Sequence, residues 1–80
     1  SSLHNVASLL NARGDLPGAE RFYGEALAMR RRLAPGDDRE TARTLNNLGA
    51  VYQAQGRLAD AGKTFEEALA MRRRLYAGDH

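Results

Sequence analysis

A nine-residue segment that occurs twice constrains this chain more than any other feature of its sequence. Residues 25–33 read EALAMRRRL, and the same nine letters return at residues 67–75, an offset of 42 residues. At that offset 17 of the 38 available residue pairs are identical, against roughly two to four expected by chance from this composition. We therefore predict a tandem repeat, with repeat 1 at residues 1–38 and repeat 2 at residues 39–80.

Apolar residues recur in both repeats with the spacing of an α-helix. The first such set, at i, i+3, i+4 and i+7, is Leu3, Val6, Ala7 and Leu10. This spacing places the four side chains on one helical face. Gly14 and Gly56 are expected to stop the first helix of each repeat, because glycine adopts the left-handed conformation at little cost. The pattern predicts helices over about residues 3–13, 17–34, 39–55 and 59–76.

Each predicted helix has an apolar face that needs a partner. In the second helix this face is Ala19, Phe22 or Tyr23, Ala26, Leu27, Met29 and Leu33. In the third it is Ala42, Leu45, Leu48, Gly49, Val51 and Tyr52, and in the fourth Ala61, Phe65, Ala68, Leu69, Met71, Leu75 and Tyr76. Short connections make consecutive helices antiparallel neighbours. We therefore expect an all-α fold, a superhelix (solenoid) of two antiparallel helix hairpins in which each unit meets only its neighbours.

Composition narrows the functional classes. The chain has 80 residues, no cysteine, 12 basic and 10 acidic residues, and a net charge of +2. This charge is too small to indicate nucleic-acid binding by itself. The absence of cysteine fits a reducing compartment, and neither a membrane-length apolar run nor a signal-peptide pattern is present. We expect a cytoplasmic protein with no metal ion or other cofactor.

A known motif becomes visible once the repeats are aligned. Repeat 2 contains Leu48-Gly49-x-x-Tyr52-x-x-x-Gly56 and then Ala61-x-x-x-Phe65-x-x-Ala68-Leu69. The corresponding residues of repeat 1 are Val6, Ala7, Leu10, Gly14, Ala19, Tyr23, Ala26 and Leu27. The pattern resembles the tetratricopeptide repeat over essentially the whole chain. The 42-residue period, the Asn46-Asn47 pair and the Gly78-Asp79-His80 ending resemble the longer variant found in kinesin light chains and many bacterial repeat proteins.

This resemblance implies a binding surface for a peptide or protein partner. In tetratricopeptide repeat proteins the first helices line a concave groove, where an Asn side chain bonds the backbone of the peptide. The candidates carried over to this chain are His4, Asn5, Ser8 and Asn11 in repeat 1 and Asn46, Asn47, Ala50 and Gln53 in repeat 2. An amide suits the role because it offers both a donor and an acceptor. The alternative for Asn47 is a bond to a neighbouring helix that supports repeat packing.

Three consecutive arginines end the second helix of each repeat. They are Arg30, Arg31 and Arg32 in repeat 1 and Arg72, Arg73 and Arg74 in repeat 2. Three successive residues sweep about 200° around a helix, so they do not share one narrow face. Near a helix C-terminus they complement the helix dipole and cover apolar surface with their stems. The alternative is a basic ridge that meets phosphate or an acidic partner.

The sequence contains no recognisable catalytic constellation. His4 and His80 are expected to lie far apart, and neither accompanies a nucleophile or a metal-ligand spacing. We therefore expect a non-enzymatic interaction module, either part of a longer array or a minimal engineered scaffold. One alternative is a structural unit that forms homo-oligomers through uncapped repeat ends. A third possibility is binding of nucleic acid or an acidic ligand by the arginines.

Overall fold

The structure, a computed structural model, describes residues 2–77. These residues form four α-helices, α1 (Ser2–Ala12), α2 (Leu16–Leu33), α3 (Arg39–Ala54) and α4 (Leu58–Ala77), and contain no β-strand. None of these helices combines the length and apolar character that a bilayer span requires. The all-α prediction is confirmed. The Gly78-Asp79-His80 motif, and with it the expected separation of His80 from His4, lies outside the described residues.

Aspartate side chains cap the N-termini of two helices. The Asp15 carboxylate accepts a hydrogen bond from the Gly18 backbone N–H at 3.1 Å and caps α2. Asp38 caps α3 more extensively, because one of its oxygens accepts from both the backbone N–H and the hydroxyl of Thr41 at 3.0 Å. These bonds satisfy N–H groups that have no partner within the helix. They fix where the second and third helices start.

Glycine forms the turn between the two helices of each repeat. Gly14 and Gly56 both have positive φ, +83° and +79°. The following residue in each turn donates its N–H to a carbonyl five residues back, Asp15 to Leu10 and Arg57 to Tyr52, both at 2.9 Å. This 6→1 bond is the Schellman helix stop, which requires a left-handed residue. The equivalent turns therefore reverse the chain in the same way in both repeats.

The core runs through consecutive helices. Helix α1 packs on α2, α2 on α3 and α3 on α4, as expected for stacked antiparallel hairpins. One cluster of buried residues spans all four helices: Ala7, Ala19, Tyr23, Leu27, Ala42, Leu45, Leu48, Val51, Ala68 and Met71. Because burial of such apolar surface is the main stabilising term in folding, this cluster holds the stack together.

Four residues predicted to face inward are exposed instead. Leu33 is 70 % exposed at the end of α2, and Val6, Leu69 and Tyr76 are also exposed. Periodicity predicted the helices correctly, but it does not indicate how much of each apolar face the neighbouring helices cover. Leu33 lies beyond the part of α2 that its neighbours cover, and Val6 and Leu69 lie on the two ends of the stack.

Candidate functional site

The candidate binding surface is the part of α1 and α3 that the core leaves uncovered. On α3, Asn46, Ala50 and Gln53 lie at i, i+4 and i+7 and therefore share one face. Asn46 and Asn47 are half-buried, whereas Ala50 and Gln53 are exposed. On α1, Asn5, Ser8 and Asn11 are exposed and His4 is half-buried. We call these eight residues the open face.

One hydrogen bond links the two helices of the open face. Asn47 Nδ2 lies 2.8 Å from His4 Nε2, joining α3 to α1. An amide nitrogen is a donor, so His4 Nε2 accepts and the imidazole is neutral with its proton on Nδ1. Asn47 thus links α3 to α1. Asn5, its equivalent in repeat 1, is exposed.

The surroundings of His4 favour this neutral form. Burial lowers the pKa of His4, and the charge of Arg43 lowers it further, whereas Glu40 opposes them. The imidazole also packs edge-on against the Tyr23 ring, with 5.4 Å between the ring centres. Removing the imidazolium from water disfavours the charged form. His4 therefore acts as a hydrogen-bond acceptor at neutral pH.

A cavity of about 330 Å³ adjoins the open face. Its lining residues come from α1, α2 and α3: His4, Ala26, Met29, Arg30, Leu33, Glu40 and Thr44. The apolar side chains belong to α2 and the charged or polar ones mainly to its neighbours. Such a mixed cavity fits an apolar side chain whose attached backbone reaches the polar rim.

Arg30 connects this cavity to the cap of α3. Its Nε donates to Asp38 Oδ2 at 2.8 Å, and a terminal nitrogen donates to Asp38 Oδ1 at 3.2 Å. The guanidinium of Arg30, with the bonds from Thr41, holds the pKa of Asp38 well below its usual range. A two-point contact of this kind fixes both position and orientation. The first residue of the arginine triplet therefore fastens the end of α2 to the start of α3.

Two more of the arginines form ion pairs between the repeats. Arg31 donates to Glu67 and so joins α2 to α4. Arg74 Nε donates to both oxygens of Asp37, at 2.8 and 2.9 Å. Arg32, Arg72 and Arg73 have no ion pair with any carboxylate of residues 2–77. Three of the six arginines therefore form ion pairs with carboxylates within residues 2–77.

A further polar tie was not predicted from the sequence. Glu20 Oε1 on α2 accepts hydrogen bonds from Arg57 at 2.8 Å and from Gln55 at 3.2 Å. Arg57 also lies over the Tyr52 ring, 4.4 Å from its centre. Burial raises the pKa of Tyr52, and the Glu20 carboxylate adds to this shift. No repeat periodicity indicates the tie, because the equivalents of Glu20 and Arg57 are Gly62 and Asp15.

The chemistry of the open face is hydrogen bonding. Residues 2–77 contain no group of three or more His, Asp or Glu side chains placed to hold a metal ion. The surface offers amide donors and acceptors on α3, hydroxyl and amide groups on α1, and an adjoining cavity with both apolar and polar lining residues. Among the cavity residues, sequence reasoning missed Glu40 and Thr44 as site residues. Glu40 lies in the first turn of α3, just after its Asp38 cap, and Thr44 lies one turn later.

Comparison with known proteins identifies the family. A sequence profile of the tetratricopeptide repeat matches residues 1–74. Neither the curated proteins nor the solved structures gave a significant match. Tetratricopeptide repeats are generally non-catalytic modules for protein–protein interaction. With a match over nearly its whole length and four helices packed as consecutive hairpins, this chain belongs to the tetratricopeptide repeat family.

Proposed function

We propose that the chain binds a short segment of a partner protein along its open face, as two repeats of the 42-residue variant. The main supporting observation is that α1 and α3 carry half-buried and exposed amide and hydroxyl side chains, and that a cavity with an apolar wall on α2 meets this surface at His4. Amides bond the backbone of a docked segment, and the cavity takes one apolar side chain, so backbone and side chain are held separately. The same surface would serve within a longer array or in a minimal scaffold.

Two repeats offer only a short binding surface. Few side chains contact the segment, and ordering that segment costs free energy. We therefore expect affinities in about the micromolar to millimolar range. Asn46 and Gln53 are the best reporters of binding, because neither side chain forms a hydrogen bond within residues 2–77. Asn47 is a poorer reporter, since its replacement also removes the bond to His4.

The test is a selection from a displayed library of random decapeptides, followed by titration of the isotope-labelled chain with a selected peptide. The expected result is a set of NMR shift changes on the open face and around Met29. Asn46→Ala and Gln53→Ala should each weaken binding about threefold to tenfold. The control is Lys63→Ala, which changes an exposed residue of α4. This variant should bind the peptide as the wild type does. Shift changes confined to α4, or unaltered affinity in both amide variants, would reject the open face as the site.

A further inference from the structure

One amide of the open face is held by the other repeat, whereas its neighbours on α3 are not. Asn47 Nδ2 donates to His4 Nε2 at 2.8 Å. The side chains of Asn46 and Gln53 form no hydrogen bond within residues 2–77. An amide without such a bond exchanges the places of its oxygen and nitrogen by turning over, so it presents no fixed pattern of donor and acceptor. Asn47 presents one pattern.

The acceptor that holds Asn47 is itself fixed. The His4 ring is half-buried and packs edge-on against the ring of Tyr23, with 5.4 Å between the ring centres. Tyr23 is buried and belongs to the hydrophobic cluster that spans the four helices. Because a close-packed core leaves its side chains little room to move, the Tyr23 ring is a rigid support for His4. The position of His4 Nε2 is therefore set by the core.

The bond to His4 leaves the oxygen of the Asn47 amide available. An amide has two N–H donors and an acceptor oxygen, and His4 takes only one donor. Asn47 Oδ1 forms no hydrogen bond within residues 2–77. Every buried side-chain nitrogen and oxygen atom in this part of the chain has a hydrogen-bond partner. Asn47 Oδ1 therefore reaches the solvent at the junction of α1 and α3.

We propose, on the basis of the function proposed above, that His4 is a positioning residue that holds the Asn47 amide so that Oδ1 accepts a backbone N–H of the docked segment. The donor to His4 and the acceptor for the segment are used together, so Asn47 joins the repeats and binds the segment at once. Fixing the amide before the segment arrives removes part of the ordering cost of binding. The segment must carry an N–H at this point, which excludes proline there.

Backbone N-methylation of a bound peptide tests the acceptor role of Asn47. The probe is a decapeptide selected as described above, and each analogue replaces one amide hydrogen with a methyl group. One analogue should bind the wild type about tenfold more weakly than the parent peptide, because it lacks the donor to Asn47 Oδ1. In Asn47→Ala the same analogue should bind within about twofold of the parent peptide. We call this analogue the sensitive analogue.

Two substitutions of His4 test the positioning role. His4→Phe keeps a ring against Tyr23 but removes the acceptor, whereas His4→Gln keeps an uncharged acceptor, its amide oxygen, at a similar reach. His4→Phe should bind the parent peptide about threefold more weakly, because the Asn47 amide is no longer held. It should also reduce the discrimination against the sensitive analogue from about tenfold to about threefold. His4→Gln should keep discrimination close to that of the wild type.

The ratio of the two affinities separates positioning from a role in stacking. If the bond to Asn47 served only to pack α1 on α3, His4→Phe would weaken the parent peptide and the sensitive analogue equally, and the ratio would not change. Unchanged discrimination in His4→Phe therefore overturns the positioning role, and so does an equal loss of discrimination in His4→Phe and His4→Gln. Circular dichroism verifies that each variant is folded under the conditions of the titration.

The amide variants separate the role of His4 from the open face itself. If Asn46→Ala weakens binding but no analogue regains affinity in Asn47→Ala, the segment docks on the open face without a bond to Asn47 Oδ1, and only the positioning role is overturned. If Asn46→Ala and Gln53→Ala both leave the affinity unaltered, the open face is rejected and the positioning role with it. Lys63→Ala is the matched control and should show the discrimination of the wild type.

Discussion

The two repeats contain many of the same residues but bury them to different extents. Leu45 of α3 is almost fully buried, whereas its equivalent Leu3 of α1 is only half-buried. Met71 of α4 is buried, and its equivalent Met29 lines the cavity. In a stacked fold the neighbours of a residue decide its burial, since each unit covers only the next. Identical residues in the two repeats should therefore contribute differently to stability.

The first residues of α3 account for part of this difference. Helix α3 has five residues before Thr44. Within those five residues Thr41 and Ala42 are buried, and Ala42 belongs to the same cluster as Met71. The equivalent side of α2 forms the wall of the cavity. Met71 is thus buried in the cluster that includes Ala42 of α3, whereas Met29 lines the cavity.

The largest difference is expected for the leucine pair. Leu45→Ala leaves a cavity in the centre of the cluster and should lower the free energy of unfolding by about 3 kcal/mol. Leu3→Ala removes a half-buried side chain and should cost about 1 kcal/mol. Urea unfolding followed by circular dichroism measures both values. Equal losses would mean that the repeats are equally well packed in solution, contrary to the burial described above.

The helix caps provide the second comparison. Asp38→Ala removes the cap of α3, the bonds from Thr41 and the pairing with Arg30, and should cost about 2 kcal/mol. Asp15→Ala removes one bond at the start of α2 and should cost about 1 kcal/mol. Arg30→Ala separates the two contributions at Asp38 by removing only the ion pair. If Asp38→Ala proved no more costly than Asp15→Ala, the pairing with Arg30 would contribute nothing measurable.

Two glycines compare a close contact between the helices of one hairpin with an open helix surface. A Cβ at Gly49 would lie 2.9 Å from atoms of the Phe65 ring, so Gly49→Ala displaces that ring. We expect a loss of about 1 kcal/mol, because overpacking outweighs the gain in helix propensity. A Cβ at Gly24 would have no neighbour within 4 Å, so Gly24→Ala should gain about 0.5 to 1 kcal/mol. The two variants should therefore change stability in opposite directions, and a gain in both would show that Phe65 moves freely.

The fold could be predicted because its determinants are local and repeated. Apolar spacing and the glycine at each turn act within a few residues, and the 42-residue copy supports both assignments twice. Burial at the ends could not be predicted in the same way. Leu33 and Leu75 are the same residue in the same local sequence, yet only Leu75 packs against the cluster.

The candidate site shows the same limit. Sequence placed amides on one face of α3, but it left open whether Asn47 meets a ligand or a neighbouring helix. The bond from Asn47 to His4 spans the two repeats, so its formation depends on how the hairpins stack. The roles of the arginines depend on the same stacking, because Arg31 and Arg74 pair with carboxylates of the other repeat. The peptide-binding role of the open face and the division at residue 38 stay predictions.

The smallest expected effect concerns His4. Its equivalent in repeat 2 is Asn46, so repeat 1 keeps only the second residue of the Asn46-Asn47 pair. The pKa of His4 is lowered in the folded chain. Near the ordinary histidine pKa of about 6.5, the unfolded chain therefore binds a proton at His4 more readily than the folded chain does. The stability that the neutral imidazole contributes is present above that value and is lost as pH falls through the lowered folded pKa. The His4→Asn variant recreates the Asn pair of α3 and should lack this loss. Urea unfolding of both proteins from about pH 8 to about pH 5 measures the difference, and the subtraction cancels the groups that they share.

The sign of that difference separates two views of the junction between α1 and α3. If burial and Arg43 dominate, the wild type loses stability relative to His4→Asn on acidification, because protonated Nε2 becomes a donor facing the Asn47 amide nitrogen. If Glu40 dominates, the imidazolium gains a partner and the wild type becomes relatively more stable instead. Parallel curves would mean that His4 is fully solvated and that its bond to Asn47 does not persist in solution. In that case the Asn47 side chain would meet a ligand without a bond to His4 that fixes its orientation, as the Asn46 side chain does.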